Sequence, residues 1–117
     1  MAQKSAPDAL VDVQQLRAGL QVSRECFARM LDVSAKTIER WEKQHEQPSH
    51  PYQKARLAQI KEIADLGLIV YTPEGFHLFL TTPMPVFDGQ TGIQMIESGR
   101  GHKVLSALAA DYEGLGY

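Results

Sequence analysis

The sequence predicts an all-α protein made of short helices. Apolar residues recur at helical spacing, first as Val13, Leu16 and Leu20. Hydroxyl residues that can cap a helix, Ser34 and Thr72, stand directly before two further runs of this kind. Proline and glycine separate the runs. The predicted architecture is therefore a helix-turn-helix bundle followed by a small helical domain.

The segment from Arg24 to Glu42 has the pattern of two helices that cross at a tight turn. Asp32 lies in the predicted turn, and Ser34 is placed to cap a second helix that starts near Ala35. The two helices would bury one small core formed by Phe27, Ala28, Leu31, Val33, Ile38 and Trp41. This arrangement predicts a helix-turn-helix, supported by the preceding helix that begins at Val13.

The second helix of this motif carries side chains suited to double-stranded DNA. If the helix lies in a major groove, Ala35, Lys36 and Arg40 would meet base edges. Short or basic groups suited to phosphate oxygens are Ser34, Thr37 and Arg24. The alternative is a solvated helical hairpin with ordinary surface charges, because any small helical domain contains such pairs.

Later segments predict four more helices. A long helix should run from about Tyr52 to Leu66, where Gly67 stops it, and the apolar run 68–71 should be a buried connector or a brief strand. Thr72 then starts a helix, with Pro73 in its first turn. Two short helices over 91–98 and 103–113 follow, and a turn at 88–89 precedes them.

Charge is divided unevenly along the 117 residues, whose net charge is −2. Residues 1–61 contain ten Lys and Arg against seven Asp and Glu, whereas residues 62–117 contain two against seven. The first part carries +3, which is low for an isolated DNA-binding domain, so we expect a dimer that presents two motifs. The acidic remainder should avoid DNA and bind a protein.

Composition argues against several other classes of protein. The single cysteine, Cys26, cannot form an intrachain disulfide, which fits a reducing cytoplasm, and no apolar run approaches the length that crosses a membrane. His45 and His50 lack a third metal ligand nearby, so we expect no metal and no cofactor. No positioned group suggests catalysis, and we expect the protein not to be an enzyme.

The helix-turn-helix segment resembles that of the Xre, or phage-repressor-like, family. In that family the second helix commonly ends in Trp-Glu, and Pro-Ser follows a few residues later; here these are Trp41-Glu42 and Pro48-Ser49. Two departures are Asp32 in place of the usual turn glycine, and Lys43-Gln44 where a glycine often follows Trp-Glu. Aspartate tolerates a left-handed turn better than most residues.

The chain beyond Thr72 resembles the small helical domain of Xre, MbcA and ParS antitoxins, which binds a cognate toxin. The matching features are an aromatic-leucine pair, a proline-containing loop, a short helix before a glycine and an apolar last helix. In this sequence they are Phe79-Leu80, the loop 82–89, Ile93 to Ile96 with Gly99, and Val104 to Leu108. The usual tryptophan is Phe79, and the usual helix-starting proline is Gly92.

Together the two resemblances imply a type II antitoxin with a DNA-binding domain at 1–67 and a toxin-binding domain at 72–117. Its partner would be a RES-domain toxin, which in that family consumes NAD, and it would repress its own operon as a homodimer or a toxin–antitoxin hetero-oligomer. The segment expected to block the toxin consists of Asp111, Tyr112, Glu113, Gly114 and Tyr117. The alternative is a solitary Xre-family regulator whose C-terminal module mediates oligomerisation.

Overall fold

The computed structural model describes residues 11–115, which fold into seven α-helices and one 3₁₀ turn. The helices are α1 (Val13–Leu20), α2 (Arg24–Leu31), α3 (Ala35–Gln44), α4 (Pro51–Val70), α5 (Pro73–Thr81), α6 (Gly92–Glu97) and α7 (Gly101–Gly114), and the 3₁₀ turn is Pro85–Phe87. Within residues 11–115 the extended pairing is a single antiparallel bridge between Met84 and Gln90. The predicted all-α fold class is confirmed.

Side-chain caps fix where most of these helices begin. The Ser34 hydroxyl accepts a hydrogen bond of 3.1 Å from the Thr37 N–H, and the Thr72 hydroxyl accepts one of 3.0 Å from the Gly75 N–H. Such caps satisfy backbone donors that the first helical turn leaves without partners. The helix starts predicted at Ser34 and Thr72 are therefore confirmed.

Left-handed residues end both α2 and α3. Asp32 adopts φ 58° between these helices, as its position in the predicted turn requires. His45 adopts φ 54°, and its N–H bonds to the Trp41 carbonyl at the end of α3. The absence of glycine after Trp41-Glu42 therefore does not prevent an ordinary helix exit, since a single left-handed residue is enough.

Helix α4 is longer than the sequence predicted, and two predictions are corrected. Gly67 does not stop the helix, and residues 68–70 are neither connector nor strand but its last turn; Tyr71 is the cap. Gly67 is needed for packing, because a Cβ there would lie 2.1 Å from a ring carbon of Phe76. A short apolar run cannot be distinguished from a helix segment by periodicity alone.

A single hydrophobic core runs through both predicted segments, 1–67 and 72–117. Helix α4 packs against α1, α2, α5 and α7, and α2 also packs directly on α6. The Arg56 guanidinium links α2 to α6 by donating to the Met30 and Ile96 carbonyls, at 2.7 and 2.8 Å. The two segments are thus in direct contact, and their separate roles stay a prediction.

Membrane-spanning helices are not found among the described residues. Helix α4 is the longest at 20 residues, but like the others it is not both long and apolar enough to cross a bilayer.

Candidate functional site

The outward face of α3 collects most of the residues that the sequence assigned to DNA. Lys36 and Arg40 are exposed, whereas Ala35 and Thr37 are partly buried beside them. Ser34 precedes the helix, and its hydroxyl also lies 2.9 Å from the Thr37 hydroxyl. The start of α3 is therefore capped by a side chain, and the basic side chains of the helix are exposed to solvent.

Each cation further along this face has an acidic neighbour. Arg40 Nε donates to Glu46 at 3.2 Å, and Lys43 Nζ lies 3.0 Å from Glu39. Such exposed ion pairs contribute little to stability and exchange readily for other anions. Sequence analysis missed Lys43, although its spacing of seven residues from Lys36 places both on one helical face. We name Lys36, Thr37, Arg40 and Lys43 the α3 face.

Arg24, which was assigned to phosphate, belongs to an ion network beneath the α3 face. Its Nε donates to Glu42 Oε1 at 3.0 Å, and about two fifths of its side chain stays exposed. Arg17 donates to both Glu42 oxygens, at 2.6 and 3.1 Å, and to the Val22 carbonyl. Glu42 itself is only 5% exposed. The network thus joins α1, the start of α2 and the end of α3.

The charge state of Glu42 follows from two opposing effects. Burial of the carboxylate raises its pKa, but the hydrogen bonds and charges of Arg17 and Arg24 lower it by more, so the net pKa is below the ordinary value. Sequence analysis missed this role of Glu42. The signal was an acidic residue four positions after Ile38, on the inward side of the helix.

The predicted toxin-binding residues lie on the last turn of α7. Asp111, Glu113 and Gly114 are exposed, and Tyr112 is partly buried. They continue the helix rather than forming a separate tail, while Tyr117 lies outside the described residues. The structure therefore places four of the five residues on the last turn of one helix.

Tyr71, which sequence analysis did not assign to any site, contacts this last turn. Its hydroxyl donates to Asp111 Oδ2 at 2.7 Å. Burial and the bond to Asp111 raise the pKa of Tyr71 to about 12, so the phenol stays a protonated donor at neutral pH. No sequence signal joined residues 40 positions apart; only the packing of α4 beside α7 shows the contact.

Histidines and carboxylates do not form a metal centre in the part of the chain that the structure describes. No group of three or more His, Cys, Asp or Glu side chains is placed to hold an ion there. His45 is the left-handed cap of α3, and His50 Nδ1 accepts a bond from the Tyr52 N–H at the start of α4. Both histidines therefore have roles at helix ends.

A solved structure with the same fold is that of the M. tuberculosis MbcT–MbcA toxin–antitoxin complex. The similarity has a TM-score of 0.73 at 19% sequence identity and covers 88% of this chain and 92% of the matched chain. No protein-family model and no curated protein sequence matches the chain. At this identity the likeness establishes the fold and leaves function to be argued from the sites. The chain described here thus has the fold of a chain of that toxin–antitoxin complex.

Proposed function

We propose that this protein is the antitoxin of a type II toxin–antitoxin system. Its C-terminal part, 72–117, would bind and block a RES-domain toxin that consumes NAD, and its N-terminal part, 1–67, would repress its own operon. The observation that carries the proposal is the fold shared, over nearly the whole chain, with a chain of a toxin–antitoxin complex. The RES assignment of the toxin rests on the sequence resemblance alone.

The α3 face supports the repressor role. Lys36 and Arg40 can donate to guanine O6 and N7, and the Ala35 methyl group can contact a thymine methyl. Ser34, Thr37 and the exposed part of Arg24 can approach phosphates on either side. Because the net charge of residues 1–61 is only +3, operator binding should depend on two copies held in register, as a homodimer or in a complex with toxin.

The end of α7 supports the neutralising role. Asp111 and Glu113 present two exposed carboxylates, which suit a pocket that binds a negatively charged substrate through basic groups. Tyr112 and Tyr117 add aromatic area of the kind enriched at interfaces, and Gly114 allows close approach of the partner. The acidic balance of residues 62–117, two basic against seven acidic, favours such a partner over DNA.

Co-expression with the product of the adjacent gene tests the proposal. We expect the neighbour to arrest growth when expressed alone and to be harmless, in a stable complex, when this protein is present. A neighbour that neither harms cells nor binds would contradict the antitoxin role. Sequence-specific DNA binding by the chain alone would then favour the solitary Xre-family regulator.

Truncation after Ala110 tests the blocking segment within that assay. Removing residues 111–117 leaves Val104 and Leu108 in the core, so we expect the chain to fold but to lose protection. Thermal unfolding of the truncated chain checks the fold. The matched control is Lys36→Ala, which should keep full protection. Undiminished protection by the truncated chain would end the blocking role of this segment.

A further inference from the structure

The Tyr71 ring lies partly buried where α4 meets α5. The Tyr71 backbone N–H donates to the Gly67 carbonyl at 2.8 Å, which fixes the backbone at the end of α4. The ring stacks on Phe79 with centroids 5.4 Å apart, and Phe79 meets the edge of Phe87 at 6.2 Å. Because Phe79 and Phe87 are buried, this aromatic row leaves the Tyr71 hydroxyl little freedom to move.

The bond from Tyr71 differs in kind from the contacts that hold other carboxylates of this chain. Asp65 pairs with Lys61 at 2.6 Å and Glu97 with Arg29 at 3.1 Å, and in each pair a cation offsets the negative charge. Tyr71 is a neutral donor, so it orients the Asp111 carboxylate without cancelling its charge. Within residues 11–115, no cation pairs with Asp111 at all.

We propose that Tyr71 is a positioning residue of the partner-binding site, which holds the Asp111 carboxylate in one orientation for a cationic group of the partner protein. The bond occupies Oδ2 and leaves Oδ1 for an arginine or lysine of the partner. This inference rests on the proposed function, since it needs a protein partner at the end of α7. It adds a residue from a different helix to that site.

The expected size of the effect follows from what each substitution removes. Tyr71→Phe keeps the stacked ring and loses only the hydroxyl. The Asp111 side chain then keeps its charge but is free to adopt other rotamers. We expect partner affinity to fall about threefold to tenfold, the usual cost of immobilising one side chain on binding. Asp111→Ala removes the charge itself, and the loss should reach about tenfold to a hundredfold.

A double-mutant cycle on partner affinity tests the proposal. Dissociation constants are measured for full-length wild type, Tyr71→Phe, Asp111→Ala and the double variant, each with the purified product of the adjacent gene. If Tyr71 acts through Asp111, the double variant binds no more weakly than Asp111→Ala alone. The matched control is Tyr52→Phe, at the far end of α4, whose hydroxyl bonds to Arg56. This control should bind like wild type.

Each failure has a distinct signature. A wild-type chain that forms no complex overturns the proposed function, and the inference falls with it. If wild type binds and Asp111→Ala binds equally well, neither Asp111 nor Tyr71 serves the interface, although the antitoxin role stands. If Tyr71→Phe weakens binding by the same factor with and without Asp111, only the role of Tyr71 is overturned. Thermal unfolding of all four variants shows whether an altered affinity merely reflects a less stable fold.

Discussion

The α3 face and the end of α7 carry opposite charge, and they are held in place by different forces. Beneath the α3 face lies a network of full charges, in which Arg17 and Arg24 converge on the buried Glu42. At the end of α7 the neutral Tyr71 hydroxyl reaches the surface carboxylate of Asp111, and the Tyr71 ring stacks on the buried ring of Phe79. A surface can therefore keep its shape through buried charge or through packing, and each kind of support fails under different conditions.

The largest difference between these supports should appear when Glu42 is replaced. Glu42→Ala leaves Arg17 and Arg24 without their shared partner, so we expect the free energy of unfolding to fall by about 2–4 kcal/mol. The expected loss is smaller than that for breaking a fully buried ion pair, because both arginines are partly exposed. Unfolding in denaturant measures this change in the free energy of unfolding. The matched control is Glu39→Ala, on the exposed side of the same helix, which should change stability little.

The effect of Glu42→Ala on stability should also depend on pH. The pKa of Glu42 in the folded chain is below its ordinary value of 4.5, so its stabilising effect is complete above about pH 5. It is lost as the pH falls below 4.5, because the unfolded chain then takes up the proton first. The difference in unfolding free energy between wild type and Glu42→Ala should therefore shrink toward pH 3. A difference that grows in acid would contradict the network.

Packing between α4 and α5, the helices that place Tyr71, should fail instead when a methyl group is added. Gly67→Ala places a Cβ where the Phe76 ring lies, and we expect a loss of about 1–3 kcal/mol from overpacking. The same substitution at Gly114, where the space is open, should be neutral or slightly stabilising, because alanine favours helix. Unfolding curves of the two variants compare their stability with that of wild type. Equal stability of both would mean that Phe76 moves aside freely.

The smallest effect on the fold, and a selective effect on DNA, is expected at the α3 face itself. Arg40→Ala should weaken binding to the protein's own promoter by about 1–2 kcal/mol, the lower part of the range for a base contact, because Arg40 must first leave Glu46. Lys103→Ala, an exposed cation on α7, is the control and should bind like wild type. Fluorescence anisotropy at fixed salt gives both affinities. An unchanged affinity for Arg40→Ala would contradict the assignment of α3 as the recognition helix.

Most of the helices could be predicted because their signals are local. The spacing of Val13, Leu16 and Leu20, the capping hydroxyls of Ser34 and Thr72, and the left-handed turn at Asp32 each depend on a few neighbouring residues. Local signals also predicted the exposed basic side chains of α3. The error at Gly67 arose because a glycine that ends a helix and one that admits a neighbouring ring look alike in a sequence.

The sequence by itself determined the helical class, the starts of α3 and α5 and the uneven charge of the two parts, since periodicity, capping and composition are properties of short segments. Only the tertiary structure decided which charged side chains hold helices together in buried ion pairs and which are exposed to solvent. It brings Glu42 to two arginines that lie 25 and 18 residues earlier, and Tyr71 to Asp111. Such pairs depend on how helices pack, because their partners are distant along the chain and no periodic pattern joins them.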